Sequence, residues 1–190
     1  IDKLFFPIKS WKRVENFENL DTWKKPSDKS FDNWMNSRIA RFETRTYDWD
    51  ALKFQADYDP KYARAQCRYM GTGGTGVTND ENVVPAEHFT FSTMVLPAGC
   101  EGPPHMHVDV EEIFFMLKGS IRLTIEDDGN FHETILKERD LASVPPGYYR
   151  GLYNIGQEEA LMLVMLGNKK PVTPHYPPDH PLTKIKRPKK

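Results

Sequence analysis

The stretch that decides the fold runs from Gly99 to Gly119 and reads GCEGPPHMHVDVEEIFFMLKG. Successive side chains of a β-strand point to opposite faces, so His105 and His107 are expected on the same face of one strand. Imidazole binds first-row transition metals well, and a carboxylate from the next strand would add a third ligand. Glu112, which follows a short turn, is the carboxylate that we expect to complete this set.

This stretch resembles the first conserved motif of the cupin superfamily, in which a glycine, a His-x-His pair, a glutamate and a second glycine recur at fixed spacing. Gly99, His105, His107, Glu112 and Gly119 occupy those positions with no gap. The resemblance implies that the two histidines and the glutamate bind one divalent metal ion per chain. Iron(II) is favoured, and manganese, nickel and zinc also occur in such sites.

Residues 139–154 resemble the second cupin motif, which carries Pro-x-Gly, a histidine and an asparagine. Pro145, Gly147 and Asn154 match this pattern, but Arg150 stands where the family usually places its last histidine ligand. An arginine side chain stays protonated in proteins and has no lone pair to offer a metal ion. The second motif therefore does not supply the fourth metal ligand that the family usually has.

Three orientations of Arg150 are consistent with the sequence. Its side chain could point into the barrel beside the metal and bind an anionic group of the substrate, with Tyr149 as a weaker candidate for the pocket wall. It could instead pair with Glu112 and replace the metal. It could also turn outward, in which case His88, at the start of the strand leading into the first motif, would supply the missing ligand. Three further histidines are less favoured substitutes: His132, His175 and His180.

The pattern from residue 88 to residue 166 predicts an all-β fold independently of the family. Short β-segments alternate there with turn signals rich in Gly, Pro and Asp, as in a sandwich or barrel. We predict strands at residues 88–96, 111–117, 120–126, 132–136, 141–144 and 159–166. The resemblance makes this a double-stranded β-helix, or jelly-roll, barrel with a few short helices.

The remaining segments flank this barrel. Residues 1–38 carry widely spaced aromatic residues, which predict an N-terminal arm that packs on the barrel or on a second subunit. Residues 39–167 form the predicted barrel domain, with one more strand expected within residues 39–52, and residues 168–190 are a Pro-rich, basic C-terminal tail. Residues 71–76 match the pattern Gly-x-Gly-x-x-Gly, but no helix is expected after them, so we predict a flexible turn and no dinucleotide site.

Composition restricts the partners of the chain. Its 190 residues contain 26 Lys plus Arg and 27 Asp plus Glu, so no net charge favours nucleic acid or an anionic membrane. Cys67 and Cys100 are too few for a disulfide framework, and no secretory leader is recognised, so a cytoplasmic location is expected. We expect a small-molecule substrate and a homodimer, because cupins commonly dimerise.

The resemblance implies a metal-dependent enzyme, and the first hypothesis is a non-haem iron dioxygenase acting on a small aromatic or carboxylated substrate. Two histidines and one carboxylate leave positions open on such a metal for substrate and dioxygen. One alternative is a metal-dependent isomerase, decarboxylase or hydrolase. Another is a non-catalytic cupin that binds a small ligand.

Overall fold

The computed structural model describes residues 23–187, where nine β-strands dominate and only two short helices occur. The strands are β1 Ala65–Met70, β2 Thr90–Leu96, β3 Glu101–His105, β4 Glu112–Lys118, β5 Ile121–Asp127, β6 Asn130–Leu136, β7 Leu141–Val144, β8 Tyr149–Asn154 and β9 Ala160–Leu166. The helices are α1 Phe31–Asn36 and α2 Lys53–Tyr58, and 3-10 turns lie at Phe42–Thr44, Pro60–Tyr62 and Pro181–Lys184. The aromatic residues Trp11 and Phe17 of the predicted arm fall outside the described residues.

Two antiparallel sheets enclose the core. One has the order β1-β2-β9-β4-β7 and the other the order β3-β8-β5-β6. Alternate residues of β9 are buried, which is the period expected of strands with one face on a core. The side chains between the sheets are apolar, and burying each large one contributes roughly 1.5–3 kcal/mol. They include Leu96, Phe114, Met116, Ile121, Leu123, Leu152 and Met162. The predicted all-β jelly-roll barrel is therefore confirmed.

Each of the six strands predicted between residues 88 and 166 is present, with ends that agree within two residues. The strand expected within residues 39–52 is wrong. The Asp48 carboxylate accepts hydrogen bonds from the backbone N–H groups of Asp50 and Ala51, both at 2.9 Å, and this turns the chain towards α2. One isolated bridge, between Asp48 and Gln66, is what remains of extended pairing there.

Three segments from outside the family motifs cover one end of the barrel: α2, the glycine-rich loop 71–76 and the C-terminal tail. The tail forms a bridge between His175 and Met106, with backbone hydrogen bonds of 2.7 and 2.9 Å. Leu182 of the tail is fully buried. Tail residues 168–187 thus pack against the barrel. Within residues 23–187, no helix has the length and apolar character that crossing a membrane requires.

Candidate metal centre

The two histidines of the first motif lie at the end of β3 and just beyond it. His105 is the last residue of β3, and Met106 continues the extended backbone through its bridge to the tail, which brings His107 to the same face. The Nδ1 atom of His105 lies 2.8 Å from the carbonyl oxygen of Pro103. We assign the proton to Nδ1, because a carbonyl only accepts, and this leaves the Nε2 lone pair of His105 free to bind a metal.

Glu112 is the first residue of β4 and is nearly fully buried. Its Oε2 atom lies 3.5 Å from Nε2 of His105 and 3.8 Å from Nε2 of His107. One ligand atom from each of the three residues falls within 4.8 Å of the others, and no other group of three such side chains was found among the described residues. The structure therefore brings together the three ligands that the sequence predicts.

These three residues fit a divalent transition metal. Bonds of about 2 Å to a shared ion allow ligand atoms to lie roughly 3–4 Å apart, as the nitrogens of His105 and His107 do from Oε2 of Glu112. The Oε2 atom of Glu112 is buried and has no hydrogen-bond partner. A buried carboxylate oxygen without a partner is costly, and coordination would remove that cost.

The protonation states also suit coordination. Burial lowers the pKa of His107 to about 4, although the charge of Glu112 opposes this shift, so the imidazole is neutral at neutral pH. Burial acts to raise the pKa of Glu112, but the adjacent side chains of His105, His107 and Arg150 favour its ionised form and hold the pKa at about 2. A neutral imidazole and an anionic carboxylate are the forms that bind metal without first losing a proton.

Arg150 points inward from β8 and is 0% exposed, so the outward orientation considered from the sequence is wrong. Its Nε atom lies 3.5 Å from Oε2 of Glu112. One of its terminal nitrogens donates to the carbonyl oxygens of Pro145, at 3.1 Å, and Val144, at 3.4 Å. Arg150 is not among the residues that line the cavity beside the metal ligands. This placement favours a contact with Glu112 over a contact with substrate.

The other candidate residues are not brought to the cluster. His88 precedes β2, is exposed, and lies with its ring centroid 5.4 Å from that of Trp23. Tyr149 neighbours Arg150 on β8 and therefore faces the opposite side of the sheet. Of the other histidines, His132 is exposed on β6, and His180 packs against Tyr62 and Tyr176.

A cavity of about 60 Å³ lies beside the three ligands. Its barrel side is apolar and is formed by Met94, Phe114, Leu152, Val164 and Leu166. Its other side carries polar side chains from α2, β1, the glycine-rich loop and the tail, namely Gln55, Arg64, Gln66, Thr75, Tyr176 and Arg187. Sequence reasoning missed this second set, because no local pattern marks residues whose role depends on packing between distant segments.

Gly74 brings the glycine-rich loop against the metal centre. A Cβ atom at this position would lie 3.0 Å from Cε1 of His107 and 3.1 Å from Cδ1 of Leu166. Such contacts are tighter than side chains normally make, so glycine permits the close approach of the backbone. The segment that the sequence predicts as a flexible turn therefore forms part of the cavity wall.

Part of this chain is similar to a known protein family and to proteins of known structure. Residues 92–166 match the cupin domain family. Oxalate decarboxylase from Lactobacillus farciminis, solved as a formate complex, superposes with a TM-score of 0.53 at 14% identity, over 72% of this chain and 34% of that chain. Oxalate oxidase in complex with the substrate analogue glycolate gives a TM-score of 0.43 at 22% identity, over 44% of each chain. The capsular polysaccharide assembling protein CapF from Staphylococcus aureus gives 0.48 at 12% identity, over 59% of this chain and 29% of that chain.

The chain spans less than half the length of each of these solved proteins. At such identities a structural likeness shows the fold alone. A search of the curated proteins found no match. The family match shows that residues 92–166 of this chain form a cupin domain, and the two-sheet topology is that of the predicted barrel.

Proposed function

We propose that this chain is a metal-dependent cupin enzyme, and more narrowly a non-haem iron oxygenase of the dioxygenase type that acts on a small organic substrate. The observation that carries the proposal is the convergence of His105, His107 and Glu112, which each offer one ligand atom within 4.8 Å of the others, beside a cavity. Because Arg150 stands in place of a fourth ligand, the set is two histidines and one carboxylate. That set is typical of non-haem iron oxygenases.

Iron(II) bound by these residues would supply open coordination positions for substrate and dioxygen and the electrons for oxidation. The residues of the chain orient the metal ligands and keep the carboxylate ligand charged. The contact between His105 Nδ1 and the Pro103 carbonyl fixes the imidazole ring, and the low pKa of Glu112 keeps its carboxylate ionised. The apolar barrel side, including Phe114 and Leu152, excludes bulk water from the reacting groups.

The size of the cavity supports a small substrate. Its volume of about 60 Å³ is well below the roughly 300–1,000 Å³ of pockets that hold drug-sized ligands. A compact organic acid fits this volume better than a fused-ring aromatic compound. The proposal therefore narrows the expected substrate from aromatic or carboxylated compounds to small carboxylated ones.

The first test is elemental analysis of protein purified without a histidine tag. We expect close to one metal ion per wild-type chain, loss of that metal in His107→Ala, and full retention in the control His132→Ala, which alters an exposed histidine on β6. Wild-type protein that stays empty after iron, manganese, nickel and zinc are each supplied would refute the metal-dependent function.

The second test is oxygen uptake by the iron-loaded protein in the presence of small hydroxy and keto acids. We expect substrate-dependent consumption of dioxygen that His107→Ala abolishes. Substrate turnover at an unchanged rate without dioxygen would refute the oxygenase and indicate an isomerase, decarboxylase or hydrolase. Tight ligand binding with no turnover would indicate a non-catalytic binding protein.

A further inference from the structure

The polar side of the cavity contains a buried arginine that the metal centre does not use. Arg64 directly precedes β1, lines the cavity and is 6% exposed. One of its terminal nitrogens donates to the carbonyl oxygen of Tyr62 at 3.2 Å. Among residues 23–187, no carboxylate forms a salt bridge with Arg64. Its positive charge is thus buried without a direct counter-charge.

A second arginine, Arg187 of the C-terminal tail, lines the same cavity. One of its terminal nitrogens donates to the Pro174 carbonyl oxygen at 3.2 Å and lies 3.5 Å from the Tyr176 hydroxyl. Its other terminal nitrogen is buried and has no hydrogen-bond partner. Within the described part of the chain, Arg187 also forms no salt bridge. An unpartnered, buried donor at a cavity wall indicates a group that is missing from the free protein.

The charges of the cavity are unbalanced. Burial lowers the pKa of Arg64 to about 10, and the neighbouring charge of Arg187 acts in the same direction while the charge of Glu112 opposes it, so Arg64 remains protonated at neutral pH. Glu112 is the one carboxylate found among the lining residues of the described chain, and it belongs to the metal centre. Two like charges close together, one of them buried and the other half-buried, are unfavourable, and a bound anion would offset that cost.

Neutral polar groups lie on the same wall. The side-chain oxygens of Gln55, Gln66 and Thr75 are buried and have no hydrogen-bond partner. Amide groups can rotate to present either oxygen or nitrogen, and a threonine hydroxyl can donate, so each can bind an oxygen-rich ligand. The wall therefore combines two positive charges with additional donors.

Resting on the proposed function, we infer that Arg64 and Arg187 form a subsite that holds the carboxylate of a small organic acid while its remainder faces the metal ligands. The guanidinium group matches a carboxylate with two parallel hydrogen bonds. The cavity volume of about 60 Å³ favours a planar carboxylate on a short carbon chain. This assignment gives the anion-binding role, expected of Arg150 from the sequence, to two residues that lie outside both family motifs.

The test measures binding of pyruvate and malonate, with pyruvamide as the neutral analogue, by titration calorimetry on the full-length protein. We compare wild type with Arg64→Gln, Arg64→Lys and Arg187→Gln. Arg122→Gln is the matched control, because Arg122 lies on β5 over the Tyr153 ring and away from the cavity. Each protein is measured both metal-loaded and after removal of metal, and its metal content is determined.

We expect pyruvate or malonate to bind wild type with and without metal, and pyruvamide to bind at least tenfold more weakly. Arg64→Gln should weaken carboxylate binding about ten- to a hundredfold, since hydrogen bonds to a charged group are lost, while its metal content stays unchanged. Arg64→Lys should recover part of the affinity, Arg187→Gln should weaken binding at least severalfold, and Arg122→Gln should match wild type.

The inference is overturned if Arg64→Gln and Arg187→Gln both bind the acids as wild type does, or if the acids bind only when metal is present. If Arg64→Gln does not fold, equal affinity of wild type for pyruvate and pyruvamide would equally overturn it. A different result would refute the proposed function. If the acids bind in an arginine-dependent way to a protein that never takes up metal, the chain is not a metalloenzyme, but the carboxylate subsite is still supported.

Discussion

Arg150 places a buried positive charge 3.5 Å from Glu112, the carboxylate of the candidate metal centre. Without metal, this cation is a main source of charge compensation for Glu112, and removing one partner of a buried pair is costly. We therefore predict that Arg150→Met lowers the free energy of unfolding of the metal-free protein by about 3 kcal/mol. The loss should be smaller in metal-loaded protein, because the ion then compensates Glu112.

Denaturant unfolding with and without a chelator measures both values. The same experiment on Arg122→Met controls for the loss of an arginine, since Arg122 is part of a surface salt bridge with Glu133. An equal loss in the loaded and metal-free forms would contradict the prediction. It would mean that Arg150 acts through its hydrogen bonds to the Val144 and Pro145 carbonyls alone.

Gly74 gives a second prediction for a single residue. The methyl group of Gly74→Ala would lie 3.0 Å from Cε1 of His107, which is bonded to the ligand atom Nε2. We expect this substitution to displace the imidazole and to weaken metal affinity about tenfold, the lower end of the range for changes next to metal ligands. Competition with a metal-binding dye measures the affinity.

The control is Gly167→Ala, where a Cβ atom meets nothing nearer than 3.7 Å. Wild-type metal affinity in Gly74→Ala would show that the loop moves away without cost. In that case the contact between the loop and His107 would not help to position the ligand.

Among the elements, a strand can be predicted from the sequence when the pattern that marks it lies within its own residues. The motif strands β4 and β5 were predicted because alternation and turn residues lie within each segment. A strand was expected through His105 and His107, but its start at Glu101 was not predicted, because Gly102, Pro103 and Pro104 are typical of a turn. The structure accommodates these prolines because β3 is an edge strand of its sheet, where a missing N–H leaves no broken pairing on the open side.

The tail is the element whose docking should depend on pH. The Leu182 N–H donates to Nδ1 of His180 at 3.3 Å, and Nε2 of His180 lies 3.3 Å from the Tyr62 hydroxyl. Burial lowers the pKa of His180 from its usual 6.5, and the charge of Lys61 adds to this, while Asp179 and Glu101 oppose it. A lowered folded-state pKa means that the contribution to stability is complete above pH 6.5 and decreases as the pH falls below it.

Hydrogen exchange of residues 175–187 at pH 7.5 and pH 5.5, corrected for intrinsic rates, measures this docking. We expect lower protection at pH 5.5 in wild type. His180→Asn retains a side-chain acceptor but does not titrate, so it should show similar protection at both values. A pH dependence that persists in His180→Asn would assign the effect to another group.

At the scale of the whole molecule, the sequence predicts the candidate metal ligands but not the arginines that line the cavity. His105, His107 and Glu112 lie within eight positions on adjoining strands, so their spacing alone predicts their convergence. Arg64 and Arg187 are separated by more than half of the chain and meet because β1 and the tail both pack over the same end of the barrel. Such a pairing is determined by tertiary packing, which no spacing within the sequence encodes.

The homodimer stays a prediction, and the structure suggests where its interface lies. Strand β6 is an edge strand of its sheet, and its exposed side chains include Phe131, at 64%, and Ile135, at 51%. These two residues lie on one face, because they are separated by an even number of positions. An edge strand with exposed apolar side chains is a template for pairing with a second chain, and a symmetric pair of such edges closes into a dimer.

Light scattering at micromolar concentration should therefore give twice the 22.0 kDa mass of one chain. The double variant Phe131→Glu, Ile135→Glu should give the mass of one chain, because like charges would then face one another across the paired edge. Phe42→Glu, which alters an equally exposed aromatic residue outside the sheets, should leave the dimer intact.

A wild-type mass of one chain would refute the dimer itself. A dimer that survives the double variant would exclude the β6 edge and leave the N-terminal arm, residues 1–38, as the candidate interface, since its aromatic residues were expected to pack on a second subunit.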